Sequence, residues 1–374
     1  MVQMAELNFE EFFNRLIAVE NRIGAIEAKF DGVQLYPLLR VRIFYSIATQ
    51  LGIFDDPHPS KPASASTNLK PIESFANLQQ TENVVLPFKR TVGGTDPYSD
   101  RILTLLNNDA RVLPFEGDDD SNPSVQRIRA YAADKFMQST KAIIKSNKTI
   151  AKNTARWHRI IGAFETEFGV SLDQVKKYPP NALRLAFNEG QAFAEYFRAV
   201  GAKHLYIVNA YSETAIVLGA KSAGVQVHEI QHGFITALHP AYSYPKRFGL
   251  RRRIQNSPDE ILTWGDYWSE GVDLPAGTKV RVTGPTESFM KFRDDVSGRN
   301  RIKSKQILFT SQGAVGAALL KAAINTAVQL EDHRVIYRLH PNEDLDEYRE
   351  LAKTLTKALL NNCEVSHRDP IFLE

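Results

Sequence analysis

At 374 residues, 43% hydrophobic and 24% charged, the chain has the make-up of an ordinary globular protein and exceeds the length of one typical domain. Its formal net charge of +3 is too small to argue for nucleic acid as a partner, and its one cysteine, Cys363, excludes an internal disulfide framework and fits a reducing compartment. No apolar run reaches the roughly 20 residues of a membrane span. Residues 1–8 carry neither a basic start nor an apolar stretch, so the expected location is cytoplasmic, with any membrane contact peripheral.

From about Asn8 to Gly52 the pattern is helical. Phe9, Phe12, Phe13, Leu16, Ile17, Val19, Ile23 and Ile26 recur at three-to-four spacing, and a second apolar stretch, Tyr36 to Leu51, carries Pro37 in its first turn, where proline is tolerated. Prolines, serines and alanines from Asp55 to Lys70 read as a linker. Residues 1–70 are therefore expected to form a helical lead and linker.

Residues 71–290 alternate strand-like runs with helical stretches. The strands are Asn83–Phe88, Ala110–Phe115, His204–Asn209, Val225–Ile230, Glu260–Thr263 and Lys279–Thr283. The helices are Ser99–Asn107, a long pair from Ser124 to Gly169, Pro180–Val200 and Tyr211–Ala223. That order predicts parallel crossovers. After a polar, basic stretch (Lys291 to Lys305), residues 291–374 offer strands at Gln306–Thr310, Arg334–Leu339 and Glu364–Ser366 and helices at Gly316–Leu330 and Asp344–Leu360. The predicted class is α/β with two Rossmann-like parallel-sheet domains and a helical lead. Three parallel strands leave an open edge, so the second domain is expected to be partial within this chain.

Two strand ends carry most of the chemistry. Arg338-Leu339-His340-Pro341-Asn342-Glu343 follows an apolar run, and Pro341 holds His340 extended at the strand end. The next helix start suits a phosphate, Arg338 can add a charge-assisted contact, and Glu343 can accept from ribose hydroxyls. The plainer role for these groups is internal pairing in a loop.

The second is Gln231-His232-Gly233, with His239 and Tyr242 close behind. His232 suits acid–base work or donation to a phosphate, while Gly233 allows a positive-φ turn or close approach of a ligand. His228, inside the strand, reads as a core residue. His228, His232 and His239 together raise a metal site, but the run reads as strand and no cysteine or Glu-rich partner lies nearby, so no metal is expected.

Weaker signals complete the set. Ser311-Gln312-Gly313 between a strand and a helix can cradle phosphate with backbone N–H groups, without a Walker pattern. In Gly93-Gly94-Thr95-Asp96-Pro97-Tyr98-Ser99-Asp100, one carboxylate is expected to cap the next helix and the other to face a cleft. Glu213 is a third candidate base, with a helix first-turn role as its alternative. Asp118-Asp119-Asp120 reads as an exposed acidic turn, with Mg²⁺ binding as its lesser alternative, and Arg251-Arg252-Arg253, preceded by Lys246 and Arg247, as a solvated basic loop whose alternative is contact with an anionic glycolipid or membrane headgroups. Trp264 and Trp268 read as packing residues on which a sugar could also stack.

These elements together resemble the GT-B-type glycosyltransferases of bacterial surface-polysaccharide (capsule and lipopolysaccharide) synthesis, a group that takes in Kdo, sialyl and glycerophosphate transferases. The resemblance rests on Gln231-His232-Gly233, His239 and Tyr242, Leu262-Thr263-Trp264-Gly265, Val282-Thr283-Gly284, Thr310-Ser311-Gln312 and Arg338-Leu339-His340-Pro341, with Phe30-Asp31-Gly32 and Tyr36-Pro37-Leu38-Leu39-Arg40 in the lead. It implies a metal-independent transferase that moves a sugar from a nucleotide-activated donor, CMP- or CDP-linked in preference, to a glycan or glycolipid at the inner membrane, with no cofactor besides the donor. The donor would lie on Ser311, Gln312, Gly313, Arg338, His340, Pro341 and Glu343. His232 with Asp96, Asp100 or Glu213 would do the acid–base work, and Gln231, Gly233, His239 and Gly284 would line the cleft. Alternatives in the same architecture are a sugar-nucleotide epimerase and a CDP-polyol glycerophosphotransferase; outside enzymes, a nucleotide- or glycan-binding scaffold.

Overall fold

The computed structural model describes residues 8–30, 32–54, 70–88, 96–107, 109–117, 123–137, 140–177, 179–245, 254–297, 305–311, 315–330, 332–340, 346, 350 and 363–366. The chain divides into two compact units: Met1–Ile47 with Asn68–Met290, and Ala48–Thr67 with Lys291–Glu374. The sequence reading set residues 1–70 apart, whereas the first 47 residues belong to the unit that holds the large sheet.

Helix α1 (Phe9–Ile23) starts where the Asn8 side chain accepts from the Glu11 N–H, and it stops at Gly24, whose φ of 59° lets its N–H close on Glu20 O. A small antiparallel hairpin, β1 (Lys29–Phe30) with β2 (Val33–Gln34), leads into α2 (Leu35–Gln50). The apolar stripe of α1 meets α2 at Phe12 and Phe44, whose ring centroids lie 5.1 Å apart. Both helices also reach α5 (Thr140–Phe168): Phe12 packs on Phe168, and Tyr36 stacks on Phe164 at 5.5 Å. The amphipathic α1 and the more evenly apolar α2 thus dock together on a third helix.

Six parallel strands form the sheet of this unit: β3 (Asn83–Leu86), β4 (Arg111–Val112), β5 (His204–Val208), β6 (Gln226–Ile230), β7 (Glu260–Thr263) and β8 (Lys279–Val282), in the order β4-β3-β5-β6-β7-β8. The chain goes outward from β3 to β4 and then returns across β3 to β5. One face of the sheet packs Leu205, Ile207 and Val227 against α4 (Val125–Ala132), α7 (Pro179–Ala199) and α8 (Thr214–Ser222). The other packs Val208, Ile230 and Leu262 against Ile102 of α3 (Asp100–Leu105). This unit is α/β and compatible with a Rossmann-like domain.

A short α6 (Asp173–Lys176) precedes α7, and α9 (Glu287–Ser297) follows β8. The polar, basic stretch from Lys291 thus begins inside that helix.

The second unit holds β9 (Gln306–Thr310), β10 (Arg334–Arg338) and β11 (Cys363–Ser366), parallel with β10 central, and α10 (Gly316–Gln329). Leu320, Ala323, Ile324 and Ala327 of α10 pack on Val335 and Tyr337. All of the helix expected at Asp344–Leu360 except the helical Asp346 and Glu350, most of the Asp55–Lys70 linker, the Asp118–Asp120 turn and the Arg251–Arg253 run lie outside the described residues.

Candidate functional site

In an open α/β sheet, ligands bind outside the carboxyl ends of the strands where the strand order reverses. Here that point lies between β3 and β5, and the residues that follow those strands, together with those after β6, converge on one histidine. His232 stacks on Phe88 with centroids 5.8 Å apart and planes 27° apart; Tyr98 lies edge-on at 6.3 Å, and Tyr211 is tilted at 6.2 Å. Its Nδ1 is buried and makes no hydrogen bond. Burial lowers its pKa from 6.5 to about 4, so the ring is neutral at physiological pH.

Asp96 shapes one wall of this cage. Its carboxylate accepts from the Phe88 N–H at 3.0 Å, the Tyr98 N–H at 3.1 Å and the Ser99 hydroxyl at 2.6 Å, which fastens both rings beside His232. It is a staple within its loop, with three hydrogen bonds accepted by its two oxygens. Asp100 takes the N–H of Glu287 at the start of α9, and Glu213 is buried against Arg129 at 2.9 Å. All three carboxylates proposed as bases are therefore engaged in holding structure.

The carboxylate nearest in character to a base is one the sequence reading passed over. Glu229 sits on β6, fully buried, and its Oε1 accepts from Tyr242 Oη at 2.8 Å and from the Ala210 N–H at 3.1 Å. Burial raises its pKa from 4.5 to about 7, against the opposing pull of those two hydrogen bonds. Its sequence context, Val227-His228-Glu229-Ile230, does not set it apart from the other acids. By joining Ala210 to Tyr242, Glu229 ties the segment after β5 to the loop that carries His239.

That loop is also held from below. Arg40 of α2 forms a fully buried pair with Glu20 of α1, Nε to Oε1 at 2.5 Å and Nη2 to Oε2 at 2.9 Å, and Tyr36 donates to the same Glu20. The remaining Arg40 nitrogen donates to the carbonyls of Pro240 and, at 2.8 Å, Ser243. His239 Nδ1 accepts from the Ala241 N–H at 3.1 Å, so the neutral ring carries its proton on Nε2 and is a donor. Burial first, then His232 and Arg40, bring its pKa down to about 4.

The other expected cleft residues divide. Gln231 is fully buried and bridges two loops: its Oε1 accepts from the Trp264 N–H at 2.8 Å and its Nε2 donates to Gly233 O at 2.9 Å. Of the two uses open to Gly233, the positive-φ turn is not the one made, and a Cβ there would meet nothing within 4 Å. Among the described residues just beyond the strand ends of this sheet, Gly284 (φ 82°) and Asn209 (φ 66°) have positive φ. The parallel register places Asn209, Gln231 and Thr263 in one row, and Asn209 Oδ1 and Thr263 Oγ1 are buried without a hydrogen-bond partner. His228 is not simply a core residue. Its Nδ1 meets Glu260 at 2.9 Å and its Nε2 meets His204 Nδ1 at 3.1 Å, in a polar row continued by Arg281 on Glu260.

In the second unit, Arg338 ends β10 and His340 lies two residues beyond, both half-buried, at the carboxyl edge of that sheet. Ser311 Oγ lies 2.8 Å from Tyr337 Oη, which also lies 2.7 Å from Gly316 O. A carbonyl can only accept, so Tyr337 donates to Gly316 and Ser311 donates to Tyr337. The Ser311 hydroxyl proton is thus directed inward, and any phosphate there would rest on other donors. Gln312, Gly313, Pro341 and Glu343 lie outside the described residues. Among the described residues no cluster of three His, Cys, Asp or Glu is placed to hold a metal, and no helix is long and apolar enough to cross a membrane. No family model and no curated protein matches this sequence.

Proposed function

We propose that the chain is a glycosyltransferase of GT-B type that moves a sugar from a nucleotide-activated donor to a glycan or glycolipid, with the six-stranded unit taking the acceptor. The carrying observation is His232: a neutral, aromatic-caged imidazole with an unused buried nitrogen, beside the topological switch point. Such a group can accept the proton of an acceptor hydroxyl as that oxygen attacks the anomeric carbon. The bond from that carbon to the donor phosphate breaks in the same step, and the nucleotide leaves with the electron pair. Arg338 and His340 are the residues we assign to the nucleotide, where their N–H groups would stabilise the charge on the leaving phosphate. His239, a neutral donor at Nε2, is suited to orienting the acceptor.

Calorimetric titration of the whole chain with CMP, CDP, UDP and GDP tests the reading. One of the four, with a cytidine nucleotide expected, should bind, and His340→Ala should weaken it by at least tenfold. Silence toward all four would sink the proposal, and unchanged affinity in His340→Ala would move the nucleotide elsewhere. Release of free nucleotide without any acceptor would favour the epimerase instead.

A further inference from the structure

Beside His232 the chain builds a second feature that the chemistry above does not use. Phe234, Trp264, Tyr267 and Trp268 form an aromatic cluster with Trp268 as its hub. Their centroids lie 5.1 Å (Phe234), 5.6 Å (Trp264) and 5.7 Å (Tyr267) from that of Trp268, all at steep interplanar angles. Phe234 is 70% and Tyr267 73% exposed, while the two tryptophans are half-buried. Open rings of this size in water need a reason.

The cluster is preformed. Gln231 fastens Gly233, next to Phe234, and Trp264 with the two ends of one buried amide, so the segments after β6 and β7 are held as a unit. Its charge narrows the occupant. Residues 231–245 and 254–278 contain no lysine or arginine, and exposed Asp266 and Glu270 flank the rings. The lysine and arginines of residues 246–253, which join the two segments, lie outside the described residues; on the described segments a phosphate or an anionic headgroup finds no counter-charge. A neutral ring with an apolar C–H face and a rim of hydroxyls is complementary to both features: the face lies on an aromatic ring and the hydroxyls donate to the carboxylates.

We infer that Phe234, Trp264, Tyr267 and Trp268 form a stacking platform for a neutral pyranose of a glycan, placed next to His232. The inference deepens the proposed function by naming the acceptor class, and its test does not depend on the nucleotide. Binding of the full chain to an array of neutral and acidic bacterial surface oligosaccharides is measured for the wild type, Phe234→Ala, Tyr267→Ala and Phe234→Trp. Phosphatidylethanolamine/phosphatidylglycerol vesicles without glycan serve as the membrane arm. Neutral glycans should be retained, with binding weakened roughly tenfold in each alanine variant and kept in Phe234→Trp.

Phe234 and Tyr267 are exposed, so their loss should leave the fold intact, and unchanged thermal unfolding checks this. Retention of no neutral glycan, equal binding by the alanine variants, preference for acidic glycans, or vesicle binding lost in Phe234→Ala would each overturn the platform. Neutral-glycan binding that needs Phe234, in a protein silent toward every nucleotide, would instead retain the platform and sink the transferase.

Discussion

His232 and His239 beyond strand β6 and Glu229 on it tilt stability in opposite directions with pH. Each histidine titrates near 4 when folded and near 6.5 when free. Between those values the unfolded chain binds more protons, so stability falls as pH drops below 6.5. Glu229 titrates near 7 when folded against 4.5 when free, so here the folded state binds more protons and stability falls as pH rises from 4.5 through 7. Glu229→Gln should remove the second slope. Its melting temperature relative to wild type should climb by several degrees between about pH 5 and about pH 8. A constant difference across that range would show that Glu229 is ionised in the folded state. Asp96→Ala should free Phe88 and Tyr98 from His232 and raise the imidazole pKa toward 6.5, read from the ring proton shifts in NMR; an unmoved titration would mean that the cage stands without its staple.

At the scale of elements, two contacts decide how the first unit is assembled. Helices α7 and α8 cross at Gly190 and Gly219. A Cβ on Gly219 would lie 2.6 Å from Phe193 Cβ and 2.7 Å from Gly190 O, whereas one on Gly190 would find its nearest neighbour at 3.6 Å. Alanine favours a helix over glycine by about 1 kcal/mol. Gly190→Ala should therefore be neutral or stabilising, while overpacking of about 1–3 kcal/mol should outweigh that gain in Gly219→Ala. Denaturant midpoints compare them directly, and equal midpoints would refute the close crossing. The second contact is Arg40 with Glu20, both with side chains fully buried. Arg40→Ala strands a carboxylate in the interior and frees the carbonyls of Pro240 and Ser243, at a cost of about 3–5 kcal/mol. Because Arg40 also anchors the loop bearing His239, glycan binding should weaken in this variant even at temperatures where it remains folded.

On the scale of the whole molecule the two units have separate cores, one on each sheet. Calorimetric unfolding should resolve two transitions, with Gly219→Ala lowering one and Tyr337→Phe, which leaves Ser311 and Gly316 short of a partner, lowering the other by about 1–3 kcal/mol. A single transition shifted by both would refute independent units. Local pattern was enough for much of this architecture. Alternation of apolar runs with 3.6-period stretches located the strands of both sheets within a few residues; the reason is plainest in β3 and β5, which are largely buried on both faces and so mostly apolar, while the edge strand β8 is exposed and carries Lys279 and Arg281. It also placed His232 and His340 just beyond strand ends. It did not show that the lead belongs to the first unit, since the Arg40–Glu20 pair and the reach of Arg40 to Pro240 join residues some 20 and 200 positions apart. Nor could it sort the carboxylates. Asp96, Asp100, Glu213 and Glu229 are alike in sequence, and only tertiary packing commits the first three to N–H groups or an arginine and leaves Glu229 buried without a cation. Residue type and period are local properties legible along the chain; desolvation and partnership depend on what the fold brings from afar, and so only the structure decided them.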